Sequence, residues 1–154
     1  KLGFAMVFVS HDLALVAEVA HKITVMYAGQ VVEQAPTSEL LSNPIHEYTR
    51  GLLGSVLSIE AGALRLHQVP GTVPSPRDFP SGDRFAPRSS HPDVGLETPP
   101  LRMEIDGRDH VYAAVPDSAW IDAGYDVPAQ QGTHVPVEES SGRKATTDVK
   151  EDER

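Results

Sequence analysis

The chain has 154 residues, 13 Lys and Arg against 22 Asp and Glu, a formal charge of −9 and no cysteine. This balance argues against nucleic acid as a partner, because phosphate contacts need clustered base. The missing thiols exclude disulfides and Cys-ligated zinc or iron–sulfur centres, and no apolar run reaches the roughly 20 residues of a membrane span, so no direct membrane insertion is expected.

Residues 5–9 (AMVFV) are continuously apolar, as in a strand buried on both faces of a parallel sheet. The run starts almost at once after Lys1, which reads as the interior of a larger protein. After Ser10-His11-Asp12, Leu13, Val16, Ala17 and Ala20 recur at helical spacing, with Asp12 as a capping or first-turn acid. KITVMY and QVVEQ read as a hairpin turning at Ala28-Gly29, with Glu33 a solvated strand residue. PTSELLSNP predicts a short helix capped by Thr37 and stopped by Pro44. HEYTRGLLGSVL predicts another, with Tyr48, Leu52 and Val56 on one stripe.

Composition changes near Leu66. Residues 1–66 hold two of the 13 prolines, Pro36 and Pro44, and residues 69–136 hold the other eleven, so no long helix or strand is expected there. The cluster RFAPR, Arg84 to Arg88, reads more simply as a loop pinned by Phe85 than as a basic patch. From Glu138 the chain is polar, charged and without aromatics, for which disorder is the default.

Ser10-His11-Asp12 fails as a hydrolase triad: neighbours at a strand end point apart, and no G-x-S-x-G elbow is present. His11 itself has two readings. It stands past the carboxyl end of the expected strand and before a helix, where α/β sheets bind ligands, and a neutral imidazole there donates to a phosphate oxygen. It also fits as a histidine that merely satisfies a loop carbonyl. His21, His46, His67, His91, His110 and His134 show no i, i+4 pair and no HExxH, so they read as surface or cap residues and no metal site is expected.

The stretch VFVSHDLALVAEVAHKITVMYAGQVVEQAPTSELLSNPIHEYTRGLL resembles the C-terminal end of the ATP-binding subunit of an ABC transporter, in its oligopeptide/dipeptide branch. SHDL matches the family's switch-histidine loop, VMYAGQVVEQ the following hairpin, and NPIHEYTRGLL the segment P-x-HPYT-x-x-LL, with Glu47 where Pro is usual. VPGTVPSPRDFPSGDRFAPR continues into the branch's extension, and the likeness covers about residues 2–115.

The resemblance implies an α/β fold, the C-terminal fragment of a P-loop NTPase core (residues 1–66) followed by a Pro-rich irregular extension (67–115); it fades after about Val115, and residues 116–154 read from composition as a low-order polar, acidic tail. It implies ATP with Mg²⁺ as cofactor, His11 as the catalytic residue at the γ-phosphate, and ATP hydrolysis driving import of peptides or similar small solutes. It also implies a second ATP-binding subunit and transmembrane permease subunits as partners, and a cytoplasmic, peripheral place on the inner face of the membrane. The sequence has no G-x-x-x-x-G-K-[ST] loop, signature motif or acidic strand end, so this chain by itself is expected to be inactive. Many members carry four cysteines for an iron–sulfur cluster, and the matching positions here are Asp83, Ser89, Leu96 and Ala114, so no cluster is expected. The competing reading is a non-catalytic C-terminal interaction or regulatory module, or a decayed gene product.

Overall fold

The computed structural model describes residues 3–60, 69–105 and 107–135. Its centre is a five-stranded, wholly antiparallel sheet in the order β1-β2-β4-β3-β5, formed by β1 (Lys22–Tyr27), β2 (Gln30–Pro36), β3 (Leu101–Ile105), β4 (His110–Ala114) and β5 (Thr133–His134). Among the described residues four α-helices accompany it: α1 (Leu13–Val19), α2 (Thr37–Ser42), α3 (Glu47–Glu60) and α4 (Asp117–Asp122).

The β1–β2 hairpin forms where it was expected. Tyr27 pairs with Gln30, and Ala28 and Gly29 adopt φ of 48° and 82°, the two left-handed residues that a two-residue primed turn requires. Along β1 the pleat buries Ile23, Val25 and Tyr27 and turns Lys22, Thr24 and Met26 outward. The core gathers these three with Val32, Ala35, Leu40 and Phe85, and Leu13, Val16, Tyr48 and Leu52 pack against it from α1 and α3.

Three local expectations change. Residues 3–10 form neither helix nor strand, and Phe4, Val7 and Val9 are 84%, 93% and 90% exposed. A strand of the parallel type needs a hydrogen-bonded neighbour, and none of the described strands pairs with this segment. Thr37 is the first residue of α2 rather than its cap; Pro36 holds the cap position, and the Thr37 hydroxyl donates to the Ala20 carbonyl instead. The Pro-rich extension, expected to be irregular, forms strands that extend the hairpin's own sheet through β2 and β4; each has five residues or fewer, within the expected limit on strand length. The expected disorder from Glu138 lies outside the described residues.

The join is made by the segment between Val69 and Arg88. Arg84 donates through Nη1 to the Ala28 carbonyl at 2.6 Å, and its guanidinium lies over the Phe79 ring. Arg88 donates to the Pro70 and Val69 carbonyls and stacks over Tyr27. Phe85, 2% exposed, meets Tyr27 edge-on at 5.3 Å and His46 at 5.2 Å. RFAPR is therefore a loop pinned by Phe85, with both arginines spent on carbonyls and rings. Gly82 is required by close approach: a Cβ there would collide with the backbones of Gly95 and Thr98.

Candidate functional site

His11 is exposed and lies two residues before the start of α1, next to its cap Asp12. Asp12 closes that helix as its N-cap: its Oδ1 accepts from Leu15 N–H at 3.1 Å and its carbonyl accepts from Val16 N–H. The Ser10 hydroxyl accepts from Asp12 N–H at 3.0 Å. The cap thus fixes the backbone on which His11 stands. The imidazole itself has no hydrogen bond or ion pair among the described residues.

The polar centre of the structure lies elsewhere, at Glu33, which is completely buried. Its Oε1 accepts from Ile45 N–H at 2.8 Å and from His110 Nε2 at 2.7 Å, and its Oε2 accepts from His46 N–H at 3.0 Å. With Glu33 as the acceptor, the His110 ring donates from Nε2. One side chain on β2 thereby ties down β4 and the entry to α3.

The reading of Glu33 as a solvated residue fails because β2 is bulged. Val25 pairs with Glu33 but Met26 pairs with Val31, so Val32 is an extra residue and two consecutive side chains, Val32 and Glu33, turn inward. The histidine reading fails at His110, which is also completely buried. It holds in part at His46, a cap that is buried. The His46 carbonyl accepts from Arg50 N–H, and its Nδ1 accepts from Tyr48 N–H at 3.2 Å. Burial pushes His46 down to about 4, assisted by the Arg50 charge, and a neutral ring is what a cap acceptor needs.

Around the pair, His110 Nδ1 lies 3.5 Å from Glu39 Oε1 without a hydrogen bond. Arg108 Nη1 binds the same Oε1 at 2.9 Å and holds the Glu39 carboxyl below the usual range. These contacts build structure, since every polar atom of Glu33 is consumed within the protein.

A cavity of about 140 Å³ opens beside this centre, with Asp83, Ser89 and Val94 in its wall. Asp83 and Ser89 occupy two of the four positions where the resemblance implies cysteine. Their carboxylate and hydroxyl, with the apolar Leu96 and Ala114, are no thiolate set and do not fit an iron–sulfur cluster. Among the described residues no group of three or more His, Cys, Asp or Glu side chains could hold a metal ion.

Residues 32–92 match the family described as oligopeptide/dipeptide transporter, C-terminal region. The match starts inside the bulged strand and runs through α2, α3 and the arginine-pinned loop. The likeness to the C-terminal part of a peptide-transport ATP-binding subunit, read from SHDL and the hairpin, therefore holds. Among particular relatives, the dipeptide transport ATP-binding protein DppD of Caldanaerobacter subterraneus subsp. tengcongensis is 38% identical over 111 residues, 71% of this chain and 34% of that protein. DppD of Lactococcus lactis subsp. cremoris is 44% identical over 89 residues, 58% of this chain and 26% of that protein. The chain thus spans about a third or less of the curated relatives it matches.

Proposed function

We propose that this chain is part of the ATP-binding, ATP-hydrolysing subunit of an importer for peptides or similar small solutes. The observation that carries the reading is the joint match: the family region over residues 32–92 lies downstream of the loop that presents His11, with α1 and β1 between them. In this reading residues 1–66 belong to the P-loop NTPase core, 67–115 are the branch's extension and 116–154 its polar tail. The subunit works against a second ATP-binding subunit and transmembrane permease subunits on the inner face of the membrane. Among the described residues no helix is long and apolar enough to cross it.

His11 then serves the γ-phosphate of ATP. A neutral imidazole donates an N–H to a phosphate oxygen and helps hold the attacking water, and such a contact acts by positioning and electrostatic stabilisation. The ring's exposure, with no hydrogen-bond or ion-pair partner among the described residues, suits that task. The phosphate loop and the acidic strand end that would hold ATP with its Mg²⁺ are not in this sequence, and no step of hydrolysis is assigned to this chain beyond the His11 contact.

One histidine does not replace a backbone phosphate cradle, its lysine and a metal-holding acid. Calorimetry with ATP–Mg²⁺ and a phosphate-release assay on the 154-residue chain should therefore show neither tight binding nor turnover. Saturable micromolar binding with turnover would overturn the inactivity of the isolated chain. The sequence encoded immediately upstream of Lys1 tests the larger reading: an in-frame P-loop, signature motif and acidic strand end support it. A start codon near Lys1 would replace it with the non-catalytic module or a decayed gene product.

A further inference from the structure

The cavity of about 140 Å³ has an uncompensated negative wall. It is lined by Asp83 and Glu47 together with Phe85, Tyr112, His91 and Trp120, and no Lys or Arg is among its described lining residues. Asp83 is 7% exposed. Its Oδ1 accepts from Phe85 N–H at 2.9 Å, and among the described residues its other oxygen has no donor and the carboxylate no ion-pair partner. The Arg84 guanidinium, next in sequence, is committed to the Ala28 carbonyl and the Phe79 ring. Glu47 accepts from Ser90 N–H and Oγ at 3.1 and 3.2 Å through Oε2 only.

We propose that this cavity is a binding site for a small organic cation bearing N–H donors, a primary ammonium or a guanidinium group. A carboxylate largely, though not wholly, removed from water without a counter-charge is destabilised, and a cation seated beside it offsets that cost. Consistent with this, desolvation raises the Asp83 carboxyl above its ordinary range, partly opposed by the Phe85 N–H. The aromatic walls favour an organic cation over a hydrated inorganic one, because ring faces attract cations. His91 meets Trp120 edge-on at 5.1 Å and Tyr125 at 5.0 Å, which holds the Trp120 side of the wall in place. The volume is close to that of a cavity known to take a benzene ring (about 150 Å³), so a group the size of propylammonium or methylguanidinium fits. Two carboxylates disfavour an anion, and a wholly apolar guest would leave the second Asp83 oxygen without a donor from it.

Trp120 is the single tryptophan of the sequence and lies in the cavity wall, so its fluorescence reports on this site. The 154-residue chain is titrated with n-propylammonium and methylguanidinium chloride, with NaCl at matched ionic strength, and with the neutral isostere n-propanol. A saturable change with the two organic cations, absent with NaCl and propanol, is the expected result. Asp83→Asn retains an acceptor for Phe85 N–H and should weaken binding at least about tenfold, and Glu47→Gln should weaken it less. A terminally blocked Gly-Lys-Gly peptide separates the sources. Tighter binding than propylammonium assigns the site to a basic side chain of a partner; weaker binding assigns it to a free small amine. No saturation by tens of millimolar, an equal response to NaCl or propanol, or binding unchanged in a folded Asp83→Asn variant would overturn the proposal. Should Asp83→Asn fail to fold, the contrast between propylammonium and propanol on the unaltered chain still decides. The outcome is independent of the ATPase reading, since no nucleotide enters the assay.

Discussion

Replacing Glu33 by alanine should be among the most destabilising single changes in this protein. The carboxylate receives Ile45 N–H, His46 N–H and His110 Nε2–H at 2.7–3.0 Å, all inside a site with no solvent exposure at Glu33 or His110. Each donor left unpaired in the interior costs about 1–3 kcal/mol, and removing one partner of a buried pair costs about 3–5 kcal/mol. The terms do not add fully, because the space left by the side chain admits water to some of the donors. The expected loss is therefore about 3–5 kcal/mol, a large share of a typical stability of about 5–15 kcal/mol. Glu33→Gln should fall between, since it keeps one acceptor but turns an amide N–H toward donors. The internal control is Lys22→Ala. Its ion pair with Asp109 at 2.7 Å is as short but lies on the surface, and it should cost under about 1 kcal/mol. Urea unfolding followed by circular dichroism gives the midpoints, and a shift without a change in slope reports stability alone. A Glu33→Ala loss no larger than that of Lys22→Ala would refute the assignment of Glu33 as the joint between β2, β4 and α3.

His46 titrates near 4 in the folded chain against 6.5 unfolded, so its contribution is intact above about pH 6.5 and declines as pH falls toward 4, by about 3 kcal/mol in all. Urea midpoints at about pH 7 and pH 4.5 should show this fall, and His46→Asn, which keeps a capping acceptor, should flatten it. Asp12→Ala removes the acceptor for Leu15 N–H and should cost about 1 kcal/mol by the same unfolding measurement. In a complete subunit carrying the phosphate cradle, His11→Ala should leave nucleotide affinity and melting temperature near normal and lower kcat about 100–1,000-fold, or about 3–4 kcal/mol. Undiminished turnover in a stable, nucleotide-binding variant would return His11 to an ordinary loop residue.

Local chemistry was legible directly. Ala28-Gly29 between two β-rich runs names its own turn, Asp12 before a 3.6-residue pattern names its own cap, and Phe85 among prolines and arginines names the anchor of its loop. Each rests on a preference that acts within a few residues and needs no distant partner. SHDL, VMYAGQVVEQ, NPIHEYTRGLL and the extension together carried the family likeness, because such a likeness depends on residue order alone.

Long-range pairing decided the rest. Nothing within QVVEQ says that Val32 is an extra residue, and only the pairing of β2 with β1 sets the phase that buries Glu33. His110 lies 77 positions from Glu33, so its burial exists only once β4 pairs with β2. The run at 5–9 makes the same point in reverse. Its composition is that of an inner strand, yet a strand is defined by its hydrogen-bonded neighbours, and among the described residues none is aligned with it. Composition and spacing determined which residues could turn, cap or anchor; which carboxylate and which histidine lie in the core was decided by the strand register that the tertiary fold imposes.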